Sequence, residues 1–419
     1  MKKIPAQFRR SLRVLATALF ALTLSLQPNQ ARAEILNRPS SQGGITVEAQ
    51  VSHEFGRSIT FNAKIQTTGP IRQASLLFRG IHEETTRVET LQVAADGSTT
   101  FVYDASLNIF PPFSGIIYWF QATLTDGSTH TSEPKTYQYT DNRFSWQETS
   151  QSIVTIHWYE GDTAFATAAL ESAGKGLLTM RDIVPVSLTD PIHIYIYSNV
   201  EDLSDTFLLG GREWAGGHAH ADLGVILVAI TPGANQFTEM DSAIPHELAH
   251  VMLYRALGDK YYQQPAWLIE GIASMAELYP SPDYARALEI ATVNDTLIPF
   301  TDLCDSFPAD SGSAYLAYAQ SQSFVSYIRD AFGVSGISRL IAAYSDGFEC
   351  DLGVTKALGS SLGQIESRWR ETVLGMNRGG VAFRNLLPFL LLIALVLIVP
   401  LWGAIDLIRQ RRKHAARSQ

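Results

Sequence analysis

The sequence predicts an α+β domain behind an all-β front. A mixed sheet with helices and a helical C-terminal part should follow an immunoglobulin- or fibronectin-like sandwich, and a transmembrane helix should close the chain. Three observations carry this. Apolar and polar residues alternate with period two across 45–140. From residue 153 onward, strand-like runs are interleaved with helical ones. The stretch 386–405 holds twenty residues without a charge, the next being Asp406, and that length suffices to cross a hydrocarbon core.

The chain opens with Lys2, Lys3, Arg9, Arg10 and Arg13, then an apolar run over 14–26, then Pro28 and the triplet Ala31-Arg32-Ala33. A basic start, a short apolar core and an A-x-A exit describe a secretory signal peptide over 1–33, cleaved after Ala33. An uncleaved anchor is the alternative, but the apolar run is short for a bilayer.

The sandwich is expected over 43–141. In Ile59-Thr60-Phe61-Asn62-Ala63-Lys64-Ile65 every second residue is apolar, the pattern of a half-buried strand. Similar runs occupy 45–52, 72–79, 86–94, 99–104, 116–124 and 134–140, punctuated by Gly69-Pro70, Asp96-Gly97 and Asp126-Gly127. No cluster of chemically active residues falls there, so a spacer or binding module is the expectation.

After a polar stretch at 141–151, the α+β domain is expected over 152–280. Strands are read at 153–159, 192–197 and 223–230, and an Ala-rich helix at 164–180. A further helix should open near Pro245, with Asp241 and Ser242 as candidate caps. The part 281–375 reads as helical, with helices at 315–332, 336–345 and 362–373.

The final apolar stretch 386–405 is followed by Arg409, Arg411, Arg412, Lys413 and Arg417 in a basic tail over 406–419. An excess of Lys and Arg marks the cytoplasmic side. The expectation is a single-pass protein of a prokaryotic cell membrane with its bulk extracytoplasmic and its tail cytoplasmic. Formal charge is −9 overall, yet 34–385 carries 40 acids against 21 bases. So acidic a surface repels phosphate backbones, which argues against nucleic acid as a partner.

Cys304 and Cys350 both lie in the exported part. An even count in an oxidising compartment suggests one disulfide, with thiolate ligation of zinc or two free thiols as alternatives.

The chemistry concentrates in His246-Glu247-Leu248-Ala249-His250, an H-E-x-x-H run. On a helix, residues i and i+4 share a face, so both imidazoles can close on one zinc ion while Glu247 projects toward its water. The neighbours Leu248, Ala249, Val251, Met252 and Leu253 make this helix apolar almost all round and hence buried. Buried His and Glu side chains need partners, and a metal supplies one. A catalytic zinc usually takes three protein ligands. The metzincin continuation is absent, since Val251, Met252, Leu253, Tyr254, Arg255 and Ala256 follow His250. A carboxylate on a second helix is the other solution, and Glu270 sits in Pro265-Ala266-Trp267-Leu268-Ile269-Glu270-Gly271-Ile272-Ala273.

H-E-L-A-H together with P-x-W-L-x-E-G-x-A resembles the peptidase MA-like metallopeptidases of the gluzincin clan, over about residues 153–372. The resemblance implies a gluzincin-like catalytic domain with one zinc ion held by His246, His250 and Glu270, with Glu247 as general base and a peptide or protein as substrate. It also implies an edge strand that holds the substrate backbone. Gly216-Gly217-His218-Ala219-His220 occupies that place, and glycines there let a peptide approach closely. Gly216, Gly217 and His218 are therefore candidate substrate contacts, with an exposed polar turn as the other reading of the histidines. Related aminopeptidases carry an oxyanion-stabilising Tyr on a comparable helix. Tyr318 is the better match and Tyr315 the competitor, but Gln320 and Ser321 stand where those enzymes have Lys and Gly, so a core tyrosine stays open. Two other functions compete: a membrane-anchored binding or adhesion protein with a structural or inactive zinc site, and a zinc hydrolase of non-peptide substrates.

Overall fold

The structure, a computed structural model, describes residues 44–106, 110–184, 186, 189–207, 216–376 and, in the C-terminal stretch, 386–394, 396, 397, 400, 402 and 403. The expected signal peptide and basic tail lie outside the described residues, and the expected span 386–405 lies only partly inside them. Among the described residues no helix is long and apolar enough to cross a membrane.

Two compact units emerge. The first comprises the described residues up to His53 together with Ile59–Tyr103 and Gly115–Gln138. Its strands are β1 (Ile45–Glu54), β2 (Ser58–Thr67), β3 (Ile71–Gly80), β4 (Arg87–Leu91), β5 (Ser98–Asp104), β6 (Ser114–Leu124), β7 (Thr129–Thr131) and β8 (Lys135–Tyr139). They form one sheet in the order β1-β2-β5 and another in the order β4-β3-β6-β7, with β8 also paired to β6. Alternation does the work the sequence anticipated: Ile59, Phe61, Ala63 and Ile65 of β2 are buried. The Phe61 ring meets Phe78 of the other sheet at 5.3 Å and Tyr118 at 5.5 Å, so the two sheets face each other across an aromatic core. The Asp96-Gly97 turn needs its glycine, because φ is +85° and a Cβ there would lie 2.5 Å from the Ile65 carbonyl oxygen.

The second unit takes in 54–58, 104–114 and everything described from Tyr139 onward. Its sheet runs β12-β13-β11-β10-β9, with β9 (Gln147–Gln151), β10 (Val154–Trp158), β11 (Ile192–Tyr197), β12 (Gly217–His220) and β13 (Val225–Ala229). The three central strands are parallel and both edges antiparallel. Strand β9 falls in the stretch 141–151 that the sequence left as a polar connection. Its residues Gln-Glu-Thr-Ser-Gln are exposed or half-buried at an edge, so no apolar alternation announces it. One face of the sheet carries Tyr195 and Tyr197, against which Phe113, Phe144, Trp146 and Tyr159 pack.

The other face carries helices α1 (Thr163–Ile183) and α3 (Gln236–Leu257); the short α2 (Val200–Ser204) lies between β11 and β12 in sequence. Helix α3 does not open near Pro245 with Asp241 and Ser242 as caps, as the sequence suggested. It opens two turns earlier, after Asn235, and Pro245 lies inside it. A proline in a helix deprives the carbonyl four residues back of its donor. That carbonyl, Asp241 O, is taken instead by the backbone N–H groups of Leu278 at 2.8 Å and Tyr279 at 3.2 Å. The absent N–H is thus replaced by an interhelix clamp, and the helix continues through.

The all-round apolar character of α3 has a plain cause. Met240, Ile244, Leu248 and Val251 pack on the sheet layer, while Ala249, Met252 and Leu253 pack into a second core of helices. Close packing against α1 is enforced at Gly176, where a Cβ would sit 2.9 Å from the Pro245 Cβ. The second core gathers α4 (Ala266–Ala276), α5 (Pro282–Asn294), α6 (Ser311–Phe332), α7 (Val334–Ser345), α8 (Cys350–Leu358) and α9 (Leu362–Thr372). Gly271 lets α4 lie directly on α6, since a Cβ there would meet Ser321 O at 2.6 Å.

Cys304 and Cys350 are disulfide-bonded. The bridge sits at the start of α4: the Ala266 N–H donates to Cys304 O at 2.8 Å and Trp267 Nε1 to Cys350 Sγ at 3.5 Å. It joins positions 46 residues apart, for which loop-closure entropy gives roughly 4 kcal/mol of stabilisation. The double variant Cys304→Ser/Cys350→Ser is expected to lose about 2–4 kcal/mol in urea unfolding; an unchanged midpoint would contradict this.

Candidate metal centre

The first two ligating candidates come from one turn of α3. His246 and His250 leave the face of the helix that neither core uses, and their ring centroids stand 5.2 Å apart. The third comes from α4, whose other side chains Trp267, Leu268, Ile269, Ile272 and Ala273 are buried and lock it in place. Glu270 Oε2 lies 3.4 Å from His246 Nε2 and 3.5 Å from His250 Nε2. His246, His250 and Glu270 each offer a ligand atom within 4.8 Å of the others, and they are the one such group among the described residues.

Whether these residues suit a metal can be tested on Glu270 itself. At 3.4 and 3.5 Å its contacts with the imidazoles are ion-pair contacts, too long to be good hydrogen bonds. Oε2 is buried and has no hydrogen-bond partner. A buried carboxylate oxygen left in this way is costly, and a cation between it and the two Nε2 atoms removes the cost. The donor set of two imidazoles and one carboxylate suits zinc with a position left open. Burial pushes the Glu270 carboxyl up, but His250 and His246 more than reverse this and hold it well below the usual carboxylate range.

Two residues that sequence reasoning did not single out orient the histidines. Glu277, its side chain almost fully buried, accepts from His246 Nδ1 at 3.0 Å and from Ser242 Oγ at 3.3 Å. Tyr261, on the 3-10 turn Gly258–Gln263, lies 2.9 Å from His250 Nδ1 through its hydroxyl. Both Nδ1 atoms are thereby engaged, which turns both Nε2 atoms toward Glu270. Glu277 follows Glu270 by seven residues, two helical turns, and that spacing was the available signal. Tyr261 sits in a turn with no periodicity to read.

Glu247 is buried beside the triad. Burial raises its pKa, the two imidazoles lower it, Glu270 and Glu277 raise it again, and the net direction is upward. Strand β12 supplies the opposite wall. Gly217 faces Glu247 so closely that a Cβ would lie 2.7 Å from Oε1, so a side chain there would displace the Glu247 carboxylate. Gly216 uses its carbonyl to accept the Ala229 N–H at 2.9 Å. His218 is exposed and His220 half-buried, both lining the cleft, with ring centroids 4.7 Å apart. Burial lowers the His220 imidazole to about 4. Among the described residues, β12 pairs with β13 on one side and ends the sheet on the other.

The two tyrosine candidates separate clearly in position. Tyr318 lines the cleft, its ring 6.0 Å from that of His246. Tyr315 is turned away, its hydroxyl 2.6 Å from Ser281 Oγ and its ring packed on Tyr284. Gln320 and Ser321, both fully buried, face the interior of the helical core; Gln320 bonds the backbone of Ile298 through both ends of its amide. The whole cleft has a volume of about 570 Å³ and is lined by His246, Glu247, His250, Glu270 and Tyr318 together with residues of β12.

Geometry and similarity then point the same way. Residues 172–375 match the family model of the Peptidase MA superfamily, so the resemblance carried by the two motifs holds over that stretch. At that level the stretch and its His246, His250 and Glu270 group are similar to the peptidases of that superfamily. No match was found among curated proteins. Among solved structures, an aminopeptidase N family protein from Idiomarina loihiensis aligns over 81% of this chain and 75% of its own, at 10% identity and a TM-score of 0.37. A β-1,3-glucan-binding carbohydrate-binding module of family 56 aligns over 22% of this chain and 96% of its own, at 14% identity and a TM-score of 0.16. A myokine structure aligns over 22% and 93%, at 14% identity and a TM-score of 0.18. Similarities this distant carry no argument about what the chain does.

Two outcomes follow for metal loading. Burial lowers the His246 imidazole, but the facing carboxylates of Glu270 and Glu277 reverse this and hold it well above 6.5. Zinc binds the neutral imidazole, so a raised proton affinity at His246 sets a proton and the metal in competition for the site. Zinc affinity should weaken on acidification, and calorimetry in two buffers of different ionisation enthalpy should register the released proton. Glu277→Gln should weaken zinc binding roughly 10- to 100-fold in competition with a chelator.

Proposed function

We propose that the chain is a membrane-anchored, extracytoplasmic zinc metallopeptidase that hydrolyses peptide bonds. The observation that carries this reading is the buried convergence of His246, His250 and Glu270 with a separate carboxylate, Glu247, standing free of the ligand set in the same cleft. A site built only to hold structure needs no such base.

His246, His250 and Glu270 would hold the zinc, which when bound supplies Lewis acidity toward the scissile carbonyl and makes water a stronger acid. Glu247 takes the proton from the attacking water and delivers it to the departing amine. Its upward pKa shift suits that exchange, bringing its proton affinity closer to neutrality than that of an exposed carboxylate. Gly217 permits Glu247 to stand directly against the wall on which substrate would lie. The outer edge of β12, unpaired among the described residues, offers backbone groups to an extended peptide, with Gly216, Gly217 and His218 as its contacts. Tyr318, beside His246, donates its hydroxyl to the oxyanion that develops on the carbonyl.

Membrane anchoring rests on the uncharged stretch 386–405 and the basic residues after it. Leu386, Leu387, Phe389, Leu390, Leu391, Leu392 and Ile393 are all exposed in the described part of that stretch. So many adjacent apolar side chains require an apolar surrounding. The signal-like segment 1–33 supports export of the bulk of the chain.

Glu247→Gln in the full-length protein should retain zinc and lower kcat on a mixed peptide library by roughly 10²- to 10⁴-fold. Undiminished cleavage by this variant would overturn the mechanism. Removing zinc with a chelator should abolish cleavage, and adding it back should restore it.

A further inference from the structure

We propose that Asp222 with Tyr254, Tyr261 and Tyr262 forms a subsite of the cleft that takes a positively charged group of the substrate, an ammonium or guanidinium. This rests on the metallopeptidase reading of the same cleft and specifies its substrate class.

Asp222 lies in the turn that joins β12 to β13. The turn is tightly built: the Leu223 N–H donates to His220 O at 3.0 Å, and the Gly224 N–H to Ala221 O at 3.4 Å. Gly224 has φ +66°, and a Cβ there would lie 2.7 Å from Arg255 Nη2 and 2.9 Å from Pro191 O. Arg255 spends its guanidinium on the carbonyls of Asp190 and Pro191 at 2.8 and 2.7 Å. Asp222 therefore has a fixed place at the rim of the cavity that contains the metal triad. Among the described residues it makes no hydrogen bond and no ion pair.

Three tyrosines stand beside it. Tyr254 closes α3, while Tyr261 and Tyr262 occupy the 3-10 turn that follows. Their rings meet edge to face, at centroid separations of 5.3 Å for Tyr261–Tyr262, 5.9 Å for Tyr254–Tyr262 and 6.0 Å for Tyr254–Tyr261. Tyr262 is 68% exposed although it lines the cleft, so core packing does not account for it. Asp222 lines the same cleft as Tyr261 and Tyr262, and after burial its carboxylate is the next cause raising both the Tyr254 and Tyr262 phenols. Electron-rich ring faces next to an uncommitted carboxylate are the environment that an organic cation prefers over a neutral or anionic group. Tyr261 belongs to both sites, since its hydroxyl also meets His250 Nδ1.

Charge counting in the cleft agrees. Among the described residues, its lining contains the carboxylates of Asp222, Glu247 and Glu270 and no lysine or arginine. A zinc dication would offset Glu247 and Glu270. Asp222 is then the charge left over, and a substrate cation would balance it.

Such a cation has two sources, a lysine or arginine side chain near the scissile bond or the free amino terminus of the peptide. The test uses the full-length zinc-loaded protein and internally quenched peptides of one parent sequence. Lysine, norleucine or glutamate is placed in turn at each position flanking the cleaved bond, and every peptide is made with a free and an acetylated amino terminus. The wild type should cleave the cationic member of a matched pair with a kcat/KM about tenfold higher, mainly through KM; tenfold corresponds to about 1.4 kcal/mol. Asp222→Asn and Tyr262→Leu should each pull that ratio toward one. A preference that follows the lysine position identifies the side chain as source, and one abolished by acetylation identifies the terminus. A wild-type ratio near one, or variants that slow all peptides alike and leave the ratio intact, would overturn the proposal. Binding of the same peptides to zinc-loaded Glu247→Gln, followed by fluorescence anisotropy, keeps the two readings apart. A cation preference in binding without any hydrolysis by the wild type would sink the peptidase reading and leave the subsite standing.

Discussion

Glu270 Oε2 facing the Nε2 atoms of His246 and His250 at 3.4 and 3.5 Å is the contact around which the second unit is organised. A buried carboxylate between two imidazoles, with Glu247 alongside, is stable only if every other atom of these side chains is engaged. Glu277 and Ser242 serve His246, and Tyr261 serves His250. The remaining need is one cation at the point where the three ligand atoms converge. Helix positions, glycine contacts and the disulfide can all be understood as ways of keeping α3 and α4 at the separation this requires.

How the scaffold achieves that is visible in its two cores. Helix α3 is clamped between the sheet layer and the helical layer, so it cannot rotate without exposing one set of apolar residues. Gly176 and Gly271 set the distances of α1 from α3 and of α4 from α6, because any side chain there would collide with its neighbour. The Cys304–Cys350 bridge then fixes the approach to α4 through Ala266 and Trp267. Preorganisation of this kind spares a metal site the reorganisation that would otherwise weaken it.

Much of this was legible in the sequence where periodicity is strong. The strand over 192–197 falls where the alternation placed it, and all seven runs expected over 45–140 overlap observed strands, with β7 alone unforeseen. The pairing of His246 with His250 could be anticipated because spacing on a helix fixes which side chains share a face; Glu270, on a separate helix, was anticipated from its apolar segment and from what the resemblance implies. The start of α3 could not, because Pro245 reads locally as a helix opening, and only the Leu278 and Tyr279 amides reveal why it is tolerated inside. β9 was hidden by its polar edge position. Glu277 had a readable spacing from Glu270 but nothing marking it as buried. Tyr261, Asp222 and Tyr262 reach the cleft through turns, where tertiary placement alone brings them together.

The Asp241 carbonyl, denied a donor within its own helix and served instead by Leu278 and Tyr279, bears on how this machinery tolerates change. In an uninterrupted helix that oxygen would be saturated within its own strand of chain, and α3 would carry no backbone obligation toward the segment after α4. Because Pro245 cannot donate, the segment directly after α4 is held by main-chain atoms whose identity is indifferent to side-chain substitution. Residues 278 and 279 can therefore vary without releasing the clamp, so long as neither amide is lost at a proline. The alignment of Glu277 with His246 is thus inherited from a missing hydrogen, a constraint that a comparison of side chains alone would overlook.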